Sequence, residues 1–300
     1  MPRPSSTPAL VSRSALCALA VALAAPAVAT QPDRDHHRPQ RQTITAESLV
    51  RVRLIADVAE IAPGRTFHLA AVFDIDDHWH IYWQNPGDAG APTTITLDPP
   101  EGFTVAAPLF PRPQAFVEEI ATTYGYEKQA VIFIPVTAPQ QLTTGLATFH
   151  ARISYFVCRD RCLMGRVDTS LQLPALSDPT QAPDSPNPAD ARLLQSFRRR
   201  LPRPFARLPG ADATFDGRRL TVTGPATDFH AVEFFPLDSP ALRYTDITTQ
   251  VRNGRFRIES DIEIRRQNAR GRPISIKGLV GLGKSPADPC YHFDLPLESP

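Results

Sequence analysis

The sequence predicts an all-β protein: a β-sandwich, then a linker, a short helix and a second, smaller β-domain. Three observations carry this expectation. Short runs rich in Val, Ile, Thr and aromatic residues recur from Val50 onward, and several alternate apolar with polar positions. Pro-Gly, Asn-Pro-Gly and Pro-Pro-x-Gly clusters punctuate those runs. The 32 prolines among 300 residues argue against long helices and for strands joined by turns.

The chain opens like an exported protein. Arg3 and Arg13 form a basic start, "ALCALAVALAAPAVA" is an apolar core, and Ala27-Val28-Ala29 is a small-x-small cleavage signal. Residues 1–29 are therefore read as a signal peptide, and the exported mature chain is expected to begin near Thr30. Residues 30–48 are polar and read as a flexible tail. Residues 49–174 hold about seven short strand-like runs, including "VRVRLIADVA", "TFHLAAVFDI", "HIYWQ", "TTITLDPP", "QAVIFIPVTA", "ATFHARISYFV" and "VDTSLQLPA", which read as one sandwich. Residues 175–204 read as a Pro-rich linker with one helix. Asn187 is its expected N-cap, Pro188 its first residue, Asp190 lies in the first turn and Arg198-Arg199-Arg200 in the last. Positive charge is favourable at a helix C-terminus, which explains the triple arginine without a binding patch. Residues 205–300 resume short strands and read as the second β-domain.

The formal net charge of +1 gives no support for nucleic-acid binding. No stretch after the leader approaches the ~20 apolar residues of a membrane span, so none is expected in the mature chain.

Removing the leader leaves Cys158, Cys162 and Cys290 in a compartment where disulfides persist. An odd count leaves at least one thiol free or paired with another chain. Cys158 ends an apolar run and Gly165 opens the next, so the C-x3-C pair lies at or near a hairpin turn. Three readings of it stand open. A structural staple across so short a loop contributes roughly 2 kcal/mol. Thiol–disulfide exchange fits two close cysteines flanked by Arg159, Arg161 and Arg166, because positive charge favours the attacking thiolate. Soft-metal binding uses Cys158 and Cys162 with the thioether of Met164. Cys290 follows Asp-Pro and is expected to be a buried thiol.

The run "HWHIYWQNPGDAGAP" at 78–92 has a plain reading of its own. Trp79, Tyr82 and Trp83 fill a sandwich core, and Asn85-Pro86-Gly87 is turn chemistry. His78 and His80 are expected on one strand face, as surface residues or, less simply, as a metal pair.

Together with "YFVCRDRCLMG" at 155–165, that run resembles the periplasmic N-terminal region of the thiol:disulfide interchange protein DsbD family. The likeness is to the branch that includes the suppressor of copper sensitivity protein B, whose members carry W-H-x-Y-W-x-N-P-G-D-x-G before a V-C-x-x-x-C hairpin. "YGYEKQAVIFIPV" is similar to the stretch between the two motifs, and "VEFFPLDSP" and "CYHFDLPL" look like the branch's second β-domain.

The resemblance implies an immunoglobulin-like fold whose cysteine pair, here Cys158 and Cys162, is redox-active. It implies a role as a protein-disulfide reductase component with no dissociable cofactor. The implied donor is a membrane electron carrier or thioredoxin-like protein. The implied targets are oxidised periplasmic proteins of thioredoxin fold, disulfide isomerases and cytochrome c biogenesis factors among them. Similarity favours Cys162 as the attacking sulfur. The loop "FVEEIATTYGYE" stands where the family has a cap over the sulfurs, with Phe116, Tyr124 and Tyr126 as candidate shields. Relatives continue into a membrane-spanning carrier and this sequence stops at Pro300, so the expectation is either a separate electron donor or a lost relay. Copper tolerance, using the same cysteines to hold Cu(I), is the alternative.

Overall fold

A computed structural model of the protein describes residues 44–176, 188–237, 239–265, 267 and 273–297. The expected signal peptide, residues 30–43 of the expected tail and linker residues 177–187, Asn187 included, lie outside the described residues. The tail expectation fails at its end. Thr45 and Ser48 form a reciprocal capping box that starts helix α1 (Ala46–Leu49), and Ala46 and Leu49 are buried.

Alternation in the sequence becomes alternation in space. In β9 (Gly145–Cys158), Ala147, Phe149, Ala151, Ile153, Tyr155 and Val157 all face the core while the residues between them face outward. It pairs along its full length with β10 (Cys162–Ala175). Its other edge pairs with β4 (Thr94–Asp98) in the middle and with β3 (His80–Gly87) at the cysteine end. β7 (Thr122–Glu127) and β6 (Gln114–Val117) continue the sheet beyond β3. The facing sheet has the order β1 (Val50–Ala56), β2 (Thr66–Ile75), β8 (Gln129–Thr137), β5 (Thr104–Val105). Between the sheets, edge-to-face pairs Phe67–Phe149 and Phe73–Tyr155 sit 5.8 and 5.9 Å apart.

β2 is apolar on both faces, and α2 (Pro188–Arg198) supplies the reason. Its Leu194 and Phe197 pack on Ile55, Ala70, Val72, Val131 and Phe133 on the outside of that sheet. Asp190 pairs with Arg53 at 2.9 Å and Arg198 with Asp57 at 2.6 Å. The Arg200 guanidinium lies 4.2 Å from the Phe197 ring. The helix forms where the sequence placed it, but it is a packed layer of the sandwich and not an element of a loose linker.

The second β-domain has its own core of Leu220, Val222, Phe234, Phe256, Ile258, Val280 and Phe293. One sheet is β11 (Arg203–Pro204), β18 (Cys290–Pro296), β17 (Ser275–Leu282), β14 (Val232–Pro236). The other is β12 (Asp212–Phe215), β13 (Arg219–Pro225), β16 (Arg255–Ile264), β15 (Leu242–Arg252). Among the described residues, no helix is long and apolar enough to cross a membrane.

Arg112 joins the two sandwiches. Only 1 % exposed, it donates to the carbonyls of Leu282 and Gly283 at 3.0 and 2.7 Å and to the Glu233 carboxylate at 2.7 Å. Its guanidinium lies flat on Gly281, where a Cβ would sit 2.5 Å from Cζ, so only glycine admits it. Trp83 and Tyr124 of the first sheet pack edge-on against Phe235 of β14, and Asn85 donates to the Pro236 carbonyl at 2.8 Å.

Candidate functional site

Cys158 ends β9 and Cys162 begins β10, directly opposite one another, with only Arg159, Asp160 and Arg161 between them. Hairpin pairing brings their Cα atoms to 4.2 Å, and the two sulfurs form a disulfide. Gly165 does not open the second strand as expected. It lies inside β10, opposite the Tyr155 ring.

The two sulfurs are unequal. Cys162 is exposed. Cys158 is 2 % exposed although its side chain leaves the sheet on the outward face, so something beyond the sheet covers it. His80 is the β3 residue opposite Cys158 and shares that face. Phe116 stacks on the His80 ring at 4.5 Å, with 21° between the planes. It projects from the β6–β7 hairpin, whose 118–121 turn closes with a Glu118 N–H to Ala121 carbonyl bond of 2.9 Å. Phe116 thus lies over the ring that pairs with Cys158. Tyr124 and Tyr126 do not. They lie on the opposite, core-facing side of β7, where Tyr124 meets Trp83 and Tyr126 donates to the Pro111 carbonyl.

The 78–92 run builds the surroundings. The Tyr82 hydroxyl lies 3.6 Å from the Cys162 sulfur and donates to it, since a disulfide sulfur carries no proton. Burial, and then the Glu118 charge, push the Tyr82 phenol above its usual range and keep that proton on. Gly90 makes room for the ring: at φ 85° its absent Cβ would lie 2.2 Å from Tyr82 Cζ. Asp88 anchors the β6–β7 hairpin, accepting from the Thr122 N–H at 2.8 Å and donating its own N–H to the Thr122 carbonyl at 2.9 Å. Arg159 lies 5.0 Å over Trp79 and pairs with Asp160 at 2.9 Å.

His78 and His80 do not share a strand face. β3 begins at His80, and His78 occupies the preceding turn at φ 67°. Among the described residues, no three His, Cys, Asp or Glu side chains group as a metal site. Met164, 51 % exposed, lies on the Cys162 face two residues along β10. The placement of His80 and Tyr82 beside the two cysteines was not expected from the sequence. Their signal was period two within an almost wholly apolar run, with His80 and Tyr82 on one face and Ile81 and Trp83 on the other. Cys290 starts β18 buried and free.

An all-β protein with a disulfide across a hairpin tip, one sulfur open and one covered, is the class that fold and site define. Residues 48–174 match the family model described as thiol:disulfide interchange protein DsbD, N-terminal, and that region belongs to this family. Its sandwich is immunoglobulin-like. Among solved structures, the fold is similar to the N-terminal periplasmic domain of ScsB from Proteus mirabilis, with 16 % identity, TM-score 0.57, and 84 % of this chain and 96 % of that one covered. A weaker similarity, TM-score 0.30 at 16 % identity over 44 % of this chain and 89 % of the other, is to the DsbD N-terminal domain of Neisseria meningitidis in its reduced form. None of the curated proteins compared matches the chain.

Proposed function

We propose that this protein passes reducing equivalents in the periplasm through the Cys158–Cys162 pair. A donor dithiol, on a membrane electron carrier or a thioredoxin-like protein, attacks the exposed Cys162 sulfur and Cys158 leaves as thiolate. The donor's second thiolate then releases Cys162, so the donor is oxidised and the pair reduced. In the second half-reaction, the Cys162 thiolate attacks a disulfide of an oxidised exported protein of thioredoxin fold, and Cys158 closes on Cys162 to free the reduced target. The observation that carries this reading is the asymmetry of the disulfide: Cys162 is exposed while Cys158 is 2 % exposed. A structural staple has no need of an open sulfur with a phenol aimed at it.

The exposure of Cys162 beside the burial of Cys158 supports Cys162 as attacker. Incubation with a thioredoxin-fold partner that retains one active-site cysteine, carried as its mixed disulfide with thionitrobenzoate so that attack releases the aromatic thiol, tests this. Cys158→Ser is expected to accumulate a mixed disulfide and Cys162→Ser to accumulate none. Equal trapping by both variants contradicts the assignment.

Copper(I) binding is the second reading, favoured by the position of Met164 beside Cys162 on the same face. It requires the dithiol state, two thiolates and a thioether suiting a soft ion. Stoichiometric Cu(I) retained by the reduced protein and lost in Met164→Leu would support it.

A further inference from the structure

His80 stands out among the buried polar groups. Its Nε2 is buried and has no hydrogen-bond partner, although fewer than one buried polar atom in ten is normally left so. The residue lies directly opposite Cys158 in the β3–β9 pairing, under the Phe116 ring. The oxidised pair has no proton to offer that nitrogen. The reduced pair does, because Cys158 then carries a thiol.

We propose that His80 is the proton acceptor for Cys158, taking the thiol proton onto Nε2 as Cys158 attacks the Cys162 sulfur of a mixed disulfide. The step balances. The Cys158 S–H bond breaks and its proton moves to Nε2. The Cys158 thiolate forms the bond to Cys162, and the bond from Cys162 to the target sulfur breaks. The target leaves as thiolate, and the imidazolium returns its proton to that thiolate or to solvent. Run backwards, the same ring protonates Cys158 when a donor displaces it.

A covered sulfur needs such a partner. Burial disfavours the thiolate that must attack, and solvent reaches Cys162 but not Cys158. The groups facing the ring are Glu127 on β7, Glu118 of the β6–β7 turn, Tyr82 on its own strand and Cys158 on β9. Burial lowers the imidazole's proton affinity and the two carboxylates raise it. Burial prevails, holding the ring below its ordinary value of 6.5 and leaving a free lone pair at neutral pH.

This inference rests on the exchange reading, and one experiment separates the two. The reduced Cys290→Ser protein is mixed with an aromatic disulfide that releases coloured thionitrobenzoate. The first release reports attack by Cys162, and the second reports closure by Cys158. Closure in the parent is expected to be level at neutral pH and to fall in acid as His80 becomes protonated. In His80→Phe, which keeps a ring for Phe116 to stack on, closure should slow at least about tenfold at neutral pH. It should then climb about tenfold per pH unit with the thiolate fraction, while the first release is unchanged. His80→Gln, which cannot titrate, provides the same comparison if the phenylalanine variant misfolds. Closure in the variants with the parent's rate and pH profile overturns the proposal, as does equal slowing of both releases. A parent that never makes the second release overturns the exchange reading itself.

Discussion

Tyr82→Phe removes a single oxygen 3.6 Å from the Cys162 sulfur and leaves the ring packed against Gly90. In the reduced protein that hydroxyl donates to the thiolate, and a bond to a charged partner contributes about 1.5–3 kcal/mol. The contact is long and to sulfur, so the lower end applies. A loss of about 1.4 kcal/mol lowers the thiolate fraction roughly tenfold. The remaining thiolate is more basic and so more nucleophilic, and with a Brønsted slope near 0.5 about half of that loss, on a logarithmic scale, is recovered. The net expectation is that Cys162 reacts about threefold more slowly at neutral pH. The potential of the pair should also fall by up to about 30 mV, since the dithiol state loses the stabilisation. The assay is iodoacetamide alkylation of the reduced Cys290→Ser protein, with the label counted at Cys162 by mass. An unchanged rate in a folded Tyr82→Phe protein would refute the role given to the phenol.

Three further outcomes follow from the structure. Arg112→Ala should destabilise the protein by about 3–5 kcal/mol, because it leaves Glu233 without its partner and removes the donor to the carbonyls of Leu282, Gly283 and Asp288; urea unfolding followed by the fluorescence of Trp83, which borders the junction, reads this out. Cys290 should resist alkylation in the native protein and react only in denaturant, since burial pushes its thiol up to about 12 and the Arg112 charge opposes this only in part. Burial alone would raise the Asp57 carboxyl, but bonds from His68 and Arg198 outweigh it and hold it below the usual value of 3.8. A depressed carboxyl contributes stability that is complete above that usual value and is lost as pH falls through the lowered one. Acid titration of wild type and Asp57→Asn should therefore converge only below the ordinary carboxylate range, and parallel curves throughout would contradict the anchoring of α2 by this pair.

The sequence carried the parts of the fold that are local. Strict alternation identified β9, helix-end chemistry at Pro188 and Arg198 located α2, and C-x3-C between two strand-like runs placed the cysteines at a hairpin turn. Parts that depend on distant partners were not legible. Two-sided burial of β2 comes from α2, more than a hundred residues away in the chain. Phe116, Tyr124 and Tyr126 are equivalent in sequence as aromatic residues near a turn, and only the pairing of β7 with β3 puts two of them on the core side and leaves Phe116 over His80. Arg112 gave no signal because an arginine in a Pro-rich stretch ordinarily faces solvent. Its burial depends on Gly281 and Glu233 in the second β-domain.

The reduction potential of the Cys158–Cys162 pair tests the central claim most directly. The Cys290→Ser protein is equilibrated in graded thiol buffers, quenched with an alkylating agent and counted by mass. An exchange-competent pair predicts reversible titration at a potential well above about −300 mV, the range of labile disulfides. A pair that stays oxidised below that range would make the bridge a structural staple and contradict the account.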